Sequence, residues 1–323
     1  MTGCRRPISL KARPLAATAA ALSVAVVLAC AGPSAAQNQP SAATSAGSST
    51  SAAVDPNLQK GTTERAIDKV REAAKTAGDI FSRVPCSTPK SMKFEGSLPR
   101  IAKKLVAGEP ITIIAFGSSS TQGVGASSAE FSYPNRLADQ LRRKYPDADI
   151  TVLNQGVGGE DAPQMIQRLQ KSVIDNNPDL VIWQLGTNTV LRGGDIEETA
   201  GIIEEGVRRL KMTGADVVLV DPQYAPATTT ATREADANKM VSVIKKAANK
   251  VKVGVFPRFE VMQEWHKDRA IPFDAFVISD GLHMNDWGYA CFAQLLGDTI
   301  IKTVGQVKAG VAVPSNVITI RPM

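Results

Sequence analysis

A carboxylate and an imidazole stand three positions apart, Asp280 and His283, in a chain of 323 residues that has only one other histidine, His266. Imidazole is the side chain suited to moving protons near neutral pH. If this chain activates a hydroxyl nucleophile, one of these two residues is the base. His266 lies in Phe259-Glu-Val-Met-Gln-Glu-Trp-His266-Lys, which reads as a helix, where a packing or surface role is expected. His283 has a partner that can orient the ring and stabilise its charged form, so it is the candidate base.

The residues that such a base would serve occur in glycine-rich turns, each following a short apolar run. After Ile111–Phe116 comes Gly117-Ser118-Ser119-Ser120-Thr121-Gln-Gly123-Val-Gly125, which can present a serine beside backbone amides. It is not a phosphate loop: no Lys follows the glycines, and Ser128 stands where the dinucleotide fingerprint needs its third Gly. After Ile150–Leu153 comes Asn154-Gln-Gly156-Val-Gly158-Gly159-Glu-Asp161, and after Leu180–Trp183 comes Gln184-Leu-Gly186-Thr-Asn188. Glycine lets backbone approach a ligand, and an asparagine amide can donate to a developing oxyanion. Asp221-Pro-Gln223-Tyr224 follows Val217–Val220. Gln223 or Tyr224 could line a substrate pocket there, with a turn packed by Pro222 as the alternative. Arg192 is a candidate to meet an anionic group, or a solvated charge. No His/Cys/Asp cluster has metal-ligand spacing, so neither a metal nor a cofactor is expected.

The elements that must position these turns alternate strictly. The runs Ile111–Phe116, Ile150–Leu153, Leu180–Trp183, Val217–Val220 and Val251–Val255 are nearly continuous in apolar residues, as in strands buried on both faces. Between them lie amphipathic stretches at Tyr133–Tyr145, Ala162–Asn176, Ile196–Met212 and about Thr232–Lys250, with Asp286–Val304 closing the domain. Further helices are expected at Thr62–Ser82 and Leu98–Ala107. This alternation predicts a five-stranded parallel sheet covered by helices on both faces, a three-layer α/β/α sandwich. Ligands bind outside the carboxyl ends of such strands, which is where the polar turns fall.

Taken in order, four blocks resemble those of the SGNH, or GDSL-type, hydrolases: Gly117-Ser118-Ser119, Gly159, Gly186-Thr187-Asn188 and Asp280-Gly281-Leu282-His283. The resemblance implies a flavodoxin-like fold, Ser119 as nucleophile, His283 as general base and Asp280 as its orienting acid. It further implies an oxyanion hole of the Ser119 amide, the Gly159 amide and the Asn188 side chain. Ser118 departs from the family's pattern, which has Asp there, and leaves Ser118 and Ser120 as competing nucleophiles. The function implied is a serine esterase working through an acyl-Ser119 intermediate, on O-acetyl or other O-acyl groups of an envelope or extracellular carbohydrate. The alternatives are an O-acyltransferase using the same acyl-enzyme, a lipase or lysophospholipase, and a non-catalytic glycan-binding module.

The ends of the chain bear on where it works. Residues 1–36 carry basic residues, then the apolar run Leu15–Ala29, then Ser34-Ala35-Ala36, the order of a secretory signal peptide. The protein is therefore expected to be exported, periplasmic or secreted. Val27-Leu-Ala-Cys30 resembles a lipobox, so a lipid anchor at Cys30 is the one membrane attachment the sequence offers. Residues 37–60 are a Ser/Ala-rich linker, 61–110 a helical extension, 111–307 the hydrolase domain and 308–323 a tail. The formal charge of +6 falls to about +2 once the basic residues Arg5, Arg6, Lys11 and Arg13 are removed with the signal. With 5% aromatic residues and no arginine-rich run, nucleic acid is not an expected partner. Cys86 and Cys291 remain in the folded part. In an oxidising compartment they can cross-link, two separate buried thiols being the alternative.

Overall fold

This computed structural model describes residues 85–90 and 92–308. The expected signal peptide, linker, Thr62–Ser82 helix and all but the first residue of the tail lie outside the described residues. Five strands, β1 Ile111–Gly117, β2 Ile150–Gly156, β3 Leu180–Gln184, β4 Asp216–Val220 and β5 Gly254–Phe256, form one sheet in the order β2-β1-β3-β4-β5. Every pairing is parallel. The middle strand β3 is buried at all five positions, and β4 likewise, which accounts for their unbroken apolar runs.

Nine α-helices accompany the strands among the described residues: α1 Pro99–Ala107, α2 Ser119–Gln122, α3 Tyr133–Lys144, α4 Ala162–Ser172, α5 Thr187–Arg192, α6 Ile196–Met212, α7 Glu234–Val251, α8 Arg258–Lys267 and α9 Asp286–Lys308. On one face, Ile101 of α1, Leu141 of α3 and Ile300 of α9 meet Ile111 and Ile113 of β1. On the other, Trp183 of β3 donates its indole N–H to the Met165 sulfur of α4 and lies against Gly206 of α6. The three-layer sandwich expected from the alternation is the fold, and its strand order is the flavodoxin-like one.

Three elements differ from expectation, one being α2, which the sequence reads as a turn. The last strand is not Val251–Val255 but Gly254–Phe256, because α7 continues through Val251 and stops only at Lys252, whose φ of 57° is left-handed. Val253 then donates to the Ala248 carbonyl, so residues 251–253 terminate the helix and do not join the sheet. The short helix α5, unread in the sequence, begins directly after Gly186 and carries Asn188.

The amino ends of the strands hold α1 in place. Asp179, just before β3, accepts from Arg100 Nε at 2.7 Å, Lys104 Nζ at 2.8 Å and the Thr112 amide at 2.9 Å. Burial pushes its pKa up, but the bonds from Lys104, Thr112 and Arg100 outweigh that and hold it below the ordinary carboxylate range. Asp216, which opens β4, accepts the Ile101 amide at 3.0 Å and bonds the Arg100 backbone as well, yet burial outweighs these bonds and raises it to about 7. Cys86 and Cys291 are joined in a disulfide with Cα atoms 5.4 Å apart, which ties the start of the described chain to α9 across 205 residues.

Candidate active site

The nucleophile turn is built by a strand that ends in glycine and a helix that starts at once. Ser118 flanks α2 and Ser119 is its first residue; the Thr121 and Gln122 amides donate to the Ser118 carbonyl. A Cβ at Gly156 would come within 2.1 Å of the Gln122 amide, so glycine at the end of β2 is what lets α2 settle over the rim. The neighbouring serines are both engaged. Ser118, 3% exposed, donates through its amide and hydroxyl to Gln184 Oε1, which also accepts from Thr121; Ser120, 2% exposed, donates to Gln223 Oε1 at 3.0 Å. Only Ser119 of the three turns its hydroxyl toward the imidazole.

Asp280 and His283 sit in a loop closed by a bridge between Val277 and Met284, in which the Ile278 amide donates to the His283 carbonyl at 2.8 Å. The Asp280 Oδ1 accepts the Leu282 amide at 2.8 Å and the His283 amide at 2.9 Å, while Oδ2 meets His283 Nδ1 at 2.5 Å. Burial pushes the Asp280 carboxyl up. The His283 side-chain bond, the two amides and the charge of the ring more than offset this and hold it below its usual range. An ionised carboxylate can only accept, so Nδ1 carries the proton and Nε2 is left as the acceptor. Nε2 lies 2.8 Å from Ser119 Oγ, the geometry for taking that hydroxyl proton.

Asn188 reaches the turn after β2 that contains Gly159, where a Cβ at Gly158 would lie 4.0 Å from the Ser119 Cβ. Gly186, at φ 93°, opens α5 in a left-handed conformation and aims Asn188 back toward the turn after β2. The Asn188 Nδ2 donates to the Glu160 carbonyl at 2.7 Å, and Arg192 donates to the Gly159 carbonyl and, at 3.1 Å, to Asp161. Glu160 is braced by Arg168 Nε at 2.5 Å, and Arg168 also donates to the Gly117 carbonyl at 3.0 Å. With both carbonyls of the Gly159–Glu160 segment engaged, the turn is held rigid.

Two expectations about the pocket need correcting. Gln223 is 1% exposed and Tyr224 4%, so neither lines an open pocket. Gln223 bridges Ser120 and the Leu282 carbonyl, and the Tyr224 ring is packed between Phe259 and Phe273. Both face inward because the chain leaving β4 passes beneath the Asp280 loop. Arg192 grips the Gly159 turn, a partner fixed by the fold and not visible in its neighbours along the chain. His266 has the packing role expected of it: its Nδ1 pairs with the Ile271 carbonyl at 3.0 Å and its ring stacks on Phe273. Arg168 escaped the sequence reading, as did the bracing roles of Gln184 and Gln223; their positions at strand ends and in α4 were the only signal.

Residues 85–306 match the family described as non-GDSL lipase-like. An arylesterase of Vibrio mimicus is 24% identical over 177 residues, which are 54% of this chain and 80% of the arylesterase. Among solved structures, a two-domain esterase active on acetylated mannans, crystallised with mannopentaose, superposes with a TM-score of 0.56 at 22% identity over 66% of this chain; the chain spans 56% of its length. An acetylxylan esterase from Geobacillus stearothermophilus superposes with a TM-score of 0.51 at 19% identity, covering 60% of this chain and 94% of that one. These structural likenesses show a shared fold.

Proposed function

Because this chain belongs to the non-GDSL lipase-like family and is an ester-hydrolysing enzyme, we propose that it is an exported serine esterase that removes O-acetyl groups from an extracellular or envelope carbohydrate. The observation that carries the reading is the unbroken line Ser119 Oγ, His283 Nε2, His283 Nδ1, Asp280 Oδ2, with separations of 2.8 and 2.5 Å between side chains. Ser119 attacks the acyl carbon as His283 takes its proton, and the amides of Ser119 and Gly159 with Asn188 meet the oxyanion. His283 returns the proton to the departing sugar oxygen. Water, deprotonated by the same nitrogen, then releases acetate from acyl-Ser119.

The carbohydrate assignment draws its support from the neighbours, which act on acetylated mannans or acetylxylan, and export from the signal-like start of the sequence. The test is acetate release from acetylated mannan, acetylated xylan and O-acetylated peptidoglycan, set beside an aryl acetate and a long-chain lipid ester. Release from at least one glycan by the wild type and not by Ser119→Ala is the expected result. Turnover confined to the lipid ester would refute the carbohydrate assignment, and acetyl transfer to added sugar in place of release would make the enzyme a transferase.

A further inference from the structure

Gln223 is buried, and the contacts of its side chain and backbone together reach the sequence neighbours of all three groups in the site. Its Oε1 accepts from Ser120 Oγ at 3.0 Å, next to the nucleophile. Its Nε2 donates to the Leu282 carbonyl at 2.8 Å, next to the base. Its backbone amide donates to Thr187 Oγ1 at 3.4 Å, next to Asn188. The Thr228 hydroxyl in turn donates to the Gln223 carbonyl at 2.9 Å, and the adjacent Ala227 amide donates to the Gly281 carbonyl at 2.9 Å, so the backbone of this turn is itself fixed.

We propose that Gln223 is a positioning residue that sets the distance between Ser119 and His283 by holding Ser120 and Leu282 with the two ends of one amide. The chemistry of the side chain is specific to that task. One end accepts a hydroxyl proton and the other donates to a carbonyl, and a carboxamide does both from separate atoms while remaining uncharged in a buried place. A hydrocarbon of the same length would fill the space and leave both partners free to drift. Catalysis depends on reacting atoms held within a few tenths of an ångström, so the loss is expected in the chemical step and not in substrate binding.

The experiment compares wild type, Gln223→Met, Ser120→Ala and the double variant. For Gln223→Met, kcat on an aryl acetate is expected to fall roughly tenfold to a hundredfold with KM unchanged. Labelling of Ser119 by a fluorophosphonate should slow in the same proportion. Hydrogen exchange of the Leu282 and His283 amides, which donate to Asp280, should quicken while exchange in β1 and β3 stays as in wild type. The double variant should be no worse than Gln223→Met alone, because both changes break the same link. Unchanged kcat and unchanged exchange at Leu282 and His283 would overturn the proposal, as would losses that simply multiply. The kinetic arm rests on the esterase reading and the exchange arm does not: a wild type that turns over no ester refutes that reading and leaves exchange to decide the role of Gln223.

Discussion

Replacing Asp280 with Asn tests the proton arrangement more sharply than deleting it. The Asp280 Oδ1 accepts two amides, from Leu282 and His283, and Oδ2 accepts from His283 Nδ1. An asparagine has one oxygen, and two backbone donors compete for it against one ring nitrogen. Turning the amide the other way would leave both backbone N–H groups facing an NH2, a cost of roughly 2 kcal/mol at about 1 kcal/mol per lost bond. The NH2 therefore faces the ring, Nδ1 must become the acceptor, and the proton moves to Nε2, where it blocks deprotonation of Ser119. A 2 kcal/mol preference leaves roughly 3% of molecules in the competent orientation, so kcat should drop at least about thirtyfold, with about 10⁴-fold expected for a pure wrong-tautomer enzyme. Steady-state kinetics on an aryl acetate measures the loss, and nitrogen NMR of the imidazole reports which ring nitrogen carries hydrogen. A loss smaller than tenfold, or a variant that keeps its proton on Nδ1, would refute the reasoning.

Other expectations follow from the same contacts. Ser119→Ala should lower turnover by about 10⁶-fold, whereas Ser118→Ala, which severs one hydroxyl bond to Gln184 of roughly 1 kcal/mol and keeps the backbone one, should stay within about tenfold of wild type; comparable losses would make Ser118 a reacting group. Asp216, raised by burial to about 7, binds a proton more tightly folded than unfolded, so its contribution is fully present below about pH 4 and is lost as pH rises through about 7. The urea midpoint should fall across that window, less steeply in Asp216→Asn, and an identical slope in both proteins would remove Asp216 as the cause. Changing Cys86 and Cys291 together to Ser should cost about 2–5 kcal/mol of stability by chemical denaturation. A change below about 0.5 kcal/mol, the level of ordinary surface substitutions, would mean the cross-link adds nothing.

The sheet was legible because β1, β3 and β4 are covered on both sides and must be apolar almost throughout, a pattern that needs no knowledge of partners. β5 was misplaced for the opposite reason. Val251 and Val253 are β-branched, yet Val251 belongs to α7 and Lys252 supplies the left-handed stop that no residue type announces. Ser119, Asp280 and His283 could be found because their types and order are restrictive. The choice among the three serines, by contrast, rests on Gln184 and Gln223, which lie 66 and 103 residues from the serines they hold. Gln223 and Tyr224 were rightly placed at the carboxyl end of the sheet and wrongly faced, since strand-end position does not tell an inward side chain from an outward one.

The carboxylates that clamp α1, Asp179 and Asp216, stand at the opposite end of the strands from the serine and histidine. A five-residue strand is about 17 Å long, well beyond the 7–10 Å over which substitutions usually influence one another. Tolerance of acid or alkali can thus be adjusted at the foot of the sheet while specificity drifts at its rim, with neither change constraining the other. This separation lets robustness and choice of substrate evolve along independent axes.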